Sequence, residues 1–308
     1  MNLELSEDAV EFGRQALRAF QAAGGDELLI QAEIDPQTRD ALVTPMLAEL
    51  GAWELNPRTE PDDLEAAAAL CRSAGYWALP YPLAERLARP ADLESDGLIV
   101  VDQRAPQGAV LGVHARWTAV ALDGRRSTAV PIGTATGPAF TVALQLTDID
   151  ARGSADIALG LVLPIWTLLG MLDRAMELTI AHIRLRKQFG QTLSAFQGVQ
   201  FQLTDAEVER SGLEMLAKHA LWVAGTAGDT NTAADDALAA RMAACEAAEV
   251  VFRVCHQLHG AIGFCDETTL SWLSRYSQPL RRLPFGLSAT RAELTRRLGS
   301  AGLQGLFS

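Results

Sequence analysis

A mainly α-helical fold is predicted by three observations: helical apolar periodicity through the first 95 residues, β-rich runs confined to residues 98–147, and long helical segments from Ser154 onward. Elements of one kind are grouped rather than alternating, which argues against a Rossmann-type sheet. The expected division is an N-terminal helical domain (1–95), a reduced central β domain (96–150) and a C-terminal four-helix bundle (151–308).

In chain order, Ser6 is placed to cap a helix whose apolar stripe would be Val10, Phe12, Ala16, Leu17 and Phe20. Further helices are expected from Thr38 to Leu50 and from Asp62 to Cys71, ending near Gly75. Pro80 and Pro82 interrupt the segment Trp77–Leu83, because proline fixes φ and removes a donor. The β runs are Leu98–Val101, Ala109–Val113, Trp117–Leu122 and Thr141–Leu146, with Asp123-Gly124 as a hairpin turn and Trp117 as strand core. The bundle helices are expected at 155–188, 194–226, 231–263, 268–283 and 288–298, the first ending at a Gly190 cap. Within it, the charge-free run Ile157–Leu172 is shorter than a membrane span and reads as a buried core helix.

Composition narrows the function. A formal charge of -12 would repel nucleic acid and anionic membranes. Cys71, Cys245, Cys255 and Cys265 form no CxxC pair and no metal spacing, so they read as small buried hydrophobes in a reducing cytoplasm. The acidic start Met1–Leu5 lacks the basic and apolar regions of a signal peptide.

Two stretches of the bundle stand out. One is Arg184-Leu185-Arg186-Lys187-Gln188-Phe189-Gly190-Gln191, followed by Leu193 and Phe196-Gln197. The other is Gln257-Leu258-His259-Gly260-Ala261-Ile262-Gly263-Phe264, followed by Leu270 and Arg275. As a pair in register they resemble the C-terminal domain of acyl-CoA dehydrogenases, which carries an R-x-x-F-G turn and a Q-x-x-G-G-x-G-[FY] helix end. The resemblance is close over the last 150 or so residues and loose over the rest. It implies that Arg186 meets the pyrophosphate of a neighbouring subunit's FAD. Gln188, Phe189, Leu193 and Phe196 would surround the adenosine half, Gln197 would also bind the cofactor, and Gln257, Gly260 and Ala261 would line it. Guanidinium forks suit phosphate, and small residues admit close backbone approach. Plainer readings stand beside these. Arg184, Arg186 and Lys187 would be favoured by a helix C-terminus in any case. Ser194 and Gln197 match a capping box, and Gly260 and Gly263 match a helix end.

The family's catalytic carboxylate is missing. The loop that carries it matches Leu283-Pro284-Phe285-Gly286, and no Asp or Glu lies between Glu267 and Glu293. The alternative position used by some members falls on Gly160, with Leu161 where an Arg is usual. The T-E-P-x-x-G-S-D flavin loop and the W-[IV]-[TS]-N strand are absent, and Gly133–Gly137 is too short to replace the former. The pattern resembles the short, base-lacking subunit of heteromeric (α2β2) actinobacterial steroid-CoA dehydrogenases. By that resemblance the chain would share FAD with a longer paralogue that carries the catalytic Glu and binds the acyl-CoA, a steroid-CoA thioester among the candidates. Two other readings remain open: a self-sufficient flavoenzyme with a relocated base such as Asp156 or Glu267, and a flavin-free assembly partner.

Overall fold

The computed structural model describes residues 3–226 and 228–301. Met1 and Asn2, part of the N-terminal reading above, and residues 302–308 of the expected bundle domain lie outside the described residues.

Helix α1 (Glu7–Ala22) starts as expected, with the Ser6 hydroxyl accepting a hydrogen bond from the Ala9 N–H. Its buried face is Ala9, Gly13, Ala16 and Phe20, whereas Val10 is exposed and Phe12 and Leu17 are half-buried. The cause is close packing on α4 (Pro61–Tyr76): a Cβ on Gly13 would stand 3.1 Å from that of Ala69, so the row of small residues faces inward. Between them run α2 (Asp26–Ile34), which the sequence reading missed, and α3 (Arg39–Glu49). The proline segment is non-helical as expected and leads into the single-turn α5 (Leu83–Leu87).

The β unit comprises β1 (Gly97–Val101), β2 (Gln107–Gly108), β3 (Trp117–Ala121), β4 (Arg125–Ile132) and β5 (Val142–Arg152), ordered β1-β3-β4-β5-β2. β1 runs parallel to β3 and the other pairs are antiparallel. Trp117 is core. The run 109–113 is not a strand. At Gly112, φ is +77° and a Cβ would fall 1.9 Å from the Pro36 carbonyl oxygen, so the chain turns there against the N-terminal helices. β4 was unforeseen because Arg125-Arg126-Ser127-Thr128 reads as a polar loop.

The bundle is α6 (Ser154–Leu185), α7 (Gln197–Thr226), α8 (Thr230–His259), α9 (Thr269–Tyr276), α10 (Gln278–Arg282) and α11 (Leu287–Ala301). Pro279, at the start of α10, divides what the sequence suggested was one helix. α6 is long and apolar enough to cross a membrane, yet 78% of its most apolar window is buried inside the protein, as a core helix requires. It touches α4 backbone to backbone. A Cβ on Gly75 would lie 1.8 Å from the Thr167 carbonyl oxygen, and one on Gly170 1.8 Å from that of Arg72. Beside this crossing Arg72 pairs with Asp173 and Glu214, and Arg210 pairs with the same two acids, tying α4, α6 and α7 together. Cys71, Cys245 and Cys255 are buried; Cys265 is exposed, which corrects the reading of all four as buried.

Candidate functional site

The two motifs meet at one end of the bundle. α6 stops at Leu185, three residues before the expected limit, and Arg186 caps it in extended conformation with its N–H bonded to the His182 carbonyl. The chain then forms a two-stranded hairpin, β6 (Lys187–Gln188) with β7 (Gln191–Thr192). Phe189 and Gly190 occupy the two turn positions at φ +51° and +84°. This is the primed-turn geometry that two-residue hairpins favour. Gly190 is therefore a hairpin residue and not the helix cap that the sequence implied. The strained Phe189 points its ring outward, 93% exposed, with its edge toward Phe196 at 6.4 Å.

The capping box also fails to form. The Ser194 hydroxyl bonds that of Thr192 at 3.0 Å, residues 193–195 make a short 3-10 turn, and α7 begins only at Gln197. Gln197 is exposed and free of that capping role, so the plain explanation for it is lost.

The second motif ends α8. Gly260 turns the chain at φ +67° with open space where a Cβ would be, and residues 260–264 continue as a 3-10 helix carrying Ala261. His259 stacks on His182 of α6, so the ends of the two helices lie side by side. Burial lowers both histidines from their ordinary range; the Arg186 charge adds to the shift at His182, and the neighbouring His182 adds to it at His259.

Of the nine sequence-predicted cofactor residues, Arg186, Gln188, Phe189, Gln197, Gln257, Gly260 and Ala261 are exposed, while Leu193 and Phe196 are half-buried. Arg184, Arg186 and Lys187 form no ion pair among the described residues. The arrangement is one open wall: an unpaired guanidinium, amide side chains, a projecting ring and a glycine with no neighbour. It encloses nothing by itself.

The family model for the acyl-CoA dehydrogenase C-terminal domain matches residues 162–290. These residues are an acyl-CoA dehydrogenase C-terminal domain. Acyl-CoA dehydrogenase FadE28 of Mycobacterium tuberculosis is 32% identical over 94 residues, 30% of this chain and 27% of that protein. The 3-sulfinopropanoyl-CoA desulfinase of Paraburkholderia xenovorans is 30% identical over 107 residues, 35% of this chain and 26% of that protein. The matched stretches thus span about a quarter of these curated relatives. Among solved structures, the Tcur3481-Tcur3483 steroid ACAD shares the fold with a TM-score of 0.78 at 19% identity, covering 97% of this chain and 99% of that one. The ChsE4-ChsE5 complex from Mycobacterium tuberculosis does so with a TM-score of 0.74 at 17% identity, covering 99% and 100%. The whole fold is acyl-CoA dehydrogenase-like, and the cofactor of this family is FAD.

The residues fit one part of that cofactor. An unpaired Arg186 suits a pyrophosphate, and the open backbone at Gly260 and the exposed Phe189 ring suit an adenosine edge. The flavin ring finds no comparable cradle in the β domain, where Gly133 to Gly137 form a short exposed turn.

The two positions at which acyl-CoA dehydrogenases place their base come together on the wall of one partly open cavity. It is lined by Gly160, Leu161, Leu283 and Pro284, and also by Arg39, Glu85, Arg241 and Tyr276. It holds about 100 Å³, well under the roughly 300–1,000 Å³ usual for ligand pockets. Where the acidic loop would run, Arg241 instead fixes the chain by donating to the Leu280 and Phe285 carbonyl oxygens at 2.9 and 3.0 Å. Arg39 donates to the carbonyls of Pro80, Leu111 and Ala109, and burial brings its pKa down to about 9 against the opposing charge of Glu85. The Tyr276 hydroxyl is buried without a partner, an arrangement that costs on the order of 1–3 kcal/mol.

Neither proposed substitute base faces this cavity. Asp156 is 1% exposed and clamped by Arg126 at 2.7 Å and Arg58 at 2.8 Å; Glu267 is on the surface. Asp156 does lie in the first turn of α6, but its charge ties all three units together. The carboxyl that sequence reasoning missed is Glu85, which burial pushes up. No motif could have found it, because only the tertiary fold carries the one-turn α5 to the cavity.

Proposed function

We propose that this chain is the subunit without a catalytic base in a heteromeric FAD-dependent acyl-CoA dehydrogenase, giving pyrophosphate and adenosine contacts to FAD held mainly by a longer paralogue. The observation that carries this reading is an asymmetry. The wall that would serve a neighbour's cofactor is intact and exposed, while the cavity at the chain's own base positions is small and has no acid at either position. Bound FAD supplies the hydride acceptor. This chain's Arg186 would balance diphosphate charge, and the hairpin and the 260–264 turn would exclude water along the adenosine edge. The partner would supply the carboxylate and the acyl-CoA site, a steroid-CoA thioester by likeness to the steroid ACAD.

A partner is further supported by the surface of α7. Phe201, Val208, Met215 and Trp222 are exposed at seven-residue intervals, with Leu216 beside them, and Leu185, Ile262 and Phe264 are exposed near the cofactor wall. Apolar stripes of this kind on helices mark helix–helix interfaces.

Co-expression with a longer acyl-CoA dehydrogenase paralogue that carries the catalytic Glu tests the reading. The expected product is a yellow complex with one FAD per pair of unlike subunits, whereas this chain purified alone is free of flavin. A yellow oligomer of this chain alone that oxidises acyl-CoA would refute it.

A further inference from the structure

We propose that Gln200, in the first turn of α7, is a positioning residue for the cofactor wall, an inference that rests on reading that wall as a surface for FAD. Its side-chain amide holds the turn at residues 193–195, and that turn holds the backbone of Arg186.

The wall needs support because it is built on a connection between helices. From the end of α6 at Leu185 to the start of α7 at Gln197, the chain forms a hairpin closed only by the pairs Lys187–Thr192 and Gln188–Gln191. A two-stranded hairpin is marginal in water on its own. Residues 186–191 are all exposed, so packing does little to fix them.

A short series of hydrogen bonds supplies the support. The Gln200 Nε2 donates to the Ser194 carbonyl oxygen at 2.9 Å. Long side chains on a helix point back toward its N-terminus, which is how a residue in the first turn of α7 reaches that carbonyl. One residue earlier, the Leu193 N–H donates to the Arg186 carbonyl oxygen at 2.8 Å, and the Phe196 N–H donates to the Leu193 carbonyl oxygen at 3.2 Å. The turn therefore holds the chain at Arg186 on one side and at Phe196 on the other, and the Phe196 ring is the one that meets Phe189 edge-on.

Two contacts fix the turn itself. The Leu193 side chain packs against the hydrophobic core and sets its depth, while the Gln200 amide sets its orientation. Among the described residues, Gln200 makes the one side-chain hydrogen bond between α7 and this connection. An uncharged donor suits the place, because it neither competes with Arg186 for an anion nor repels it. Gln202 supplies the contrast. It is exposed, makes no side-chain hydrogen bond among the described residues and lies about 200° further round the helix.

The test uses the complex with the longer paralogue carrying Gln200→Met, Gln202→Met or Arg186→Ala in this chain. Methionine nearly matches glutamine in size and helix propensity but cannot donate. FAD affinity is read by flavin fluorescence titration, and hydrogen exchange follows residues 186–196 of the full chain without flavin. Gln200→Met should weaken FAD about threefold to tenfold, less than Arg186→Ala does. Residues 186–196 should exchange about threefold or more faster, while the interiors of α6 and α7 exchange as in wild type. A general loss of stability would instead speed exchange throughout the bundle. Gln202→Met should match wild type in both measurements. Undiminished FAD affinity in Gln200→Met beside a weakened Arg186→Ala overturns the inference and leaves the reading of the wall standing; undiminished affinity in both overturns both. Unchanged exchange at residues 186–196 in Gln200→Met, or equal losses in Gln202→Met, also overturns the role given to Gln200.

Discussion

His182 and His259 stack with ring centroids 4.5 Å apart and planes 18° from parallel, joining the end of α6 to the end of α8. The His259 Nδ1 lies 2.9 Å from the Cys255 carbonyl oxygen, so that nitrogen carries the proton and donates. The contact seats Arg186 and Gly260, the key residues of the two motifs, on the same end of the bundle.

Removing one ring should loosen that seat. His182→Ala is expected to cost about 0.5–1.5 kcal/mol and to lower the FAD content of the complex, while His182→Phe preserves both. Because burial lowers both histidines, their neutral forms favour the folded state. That stability is complete above the ordinary pKa of 6.5 and declines as the pH falls below it. Thermal unfolding between pH 8 and pH 5 checks this. A flat profile in wild type, or no difference between wild type and His182→Ala, contradicts it.

Asp156→Asn should be damaging for a structural reason only. Removing the charge leaves buried Arg126 with only Asp92 as a carboxylate partner and weakens the link to Arg58, a loss of about 1–3 kcal/mol. In whatever complex still assembles, turnover should stay within several-fold of wild type, since loss of a general base costs at least ~10²-fold. Glu267→Gln should change neither stability nor turnover. A hundredfold loss in an assembled, flavin-loaded variant of either kind would make that residue the base.

Acid should attack the α4–α6–α7 junction. Burial works to raise the Glu214 carboxyl, but hydrogen bonds and charge from Arg72, with Arg210 and Lys218, outweigh it and bring the pKa down to about 2. A depressed carboxyl adds stability that is complete above its ordinary 4.5 and is lost as the pH falls toward 2. Glu214→Gln should be less stable by about 1–3 kcal/mol at pH 7 and should lose less on acidification from pH 5 to pH 3. Parallel unfolding curves for the two proteins would contradict this assignment.

The sequence carried the large features because they are periodic or local. Ser6 caps α1, Trp117 is strand core and Ile157–Leu172 is buried, each as its neighbours in the chain imply. What escaped was set by tertiary contact. Gly13 faces inward because Ala69 is opposite, and residues 109–113 lose strand form because Gly112 abuts Pro36. At the site, the motifs named the right residues for one exposed wall, but not its shape. Gly190 reads equally well as a helix cap or a hairpin turn, and Ser194 matches a capping box until Thr192 claims its hydroxyl. Glu85 and Arg241 lie 156 positions apart in the chain and carry no shared pattern, so their common cavity could be seen only in the fold.

The central claim is that Arg186 serves FAD held by a partner. The direct measurement is the FAD affinity of the co-purified complex for Arg186→Ala, Arg186→Lys and Arg184→Ala. Arg184 is the control, because it sits on the last turn of α6 and lines a groove with Asp173, Glu177 and Glu207. Removing one member of a buried charged pair costs on the order of 2–5 kcal/mol, so Arg186→Ala should weaken FAD roughly thirtyfold or more. Lys lacks the fork geometry and should recover only part of that loss. Arg184→Ala should bind FAD as wild type does. Equal, undiminished FAD affinity in the Arg186→Ala and Arg184→Ala complexes would contradict the account.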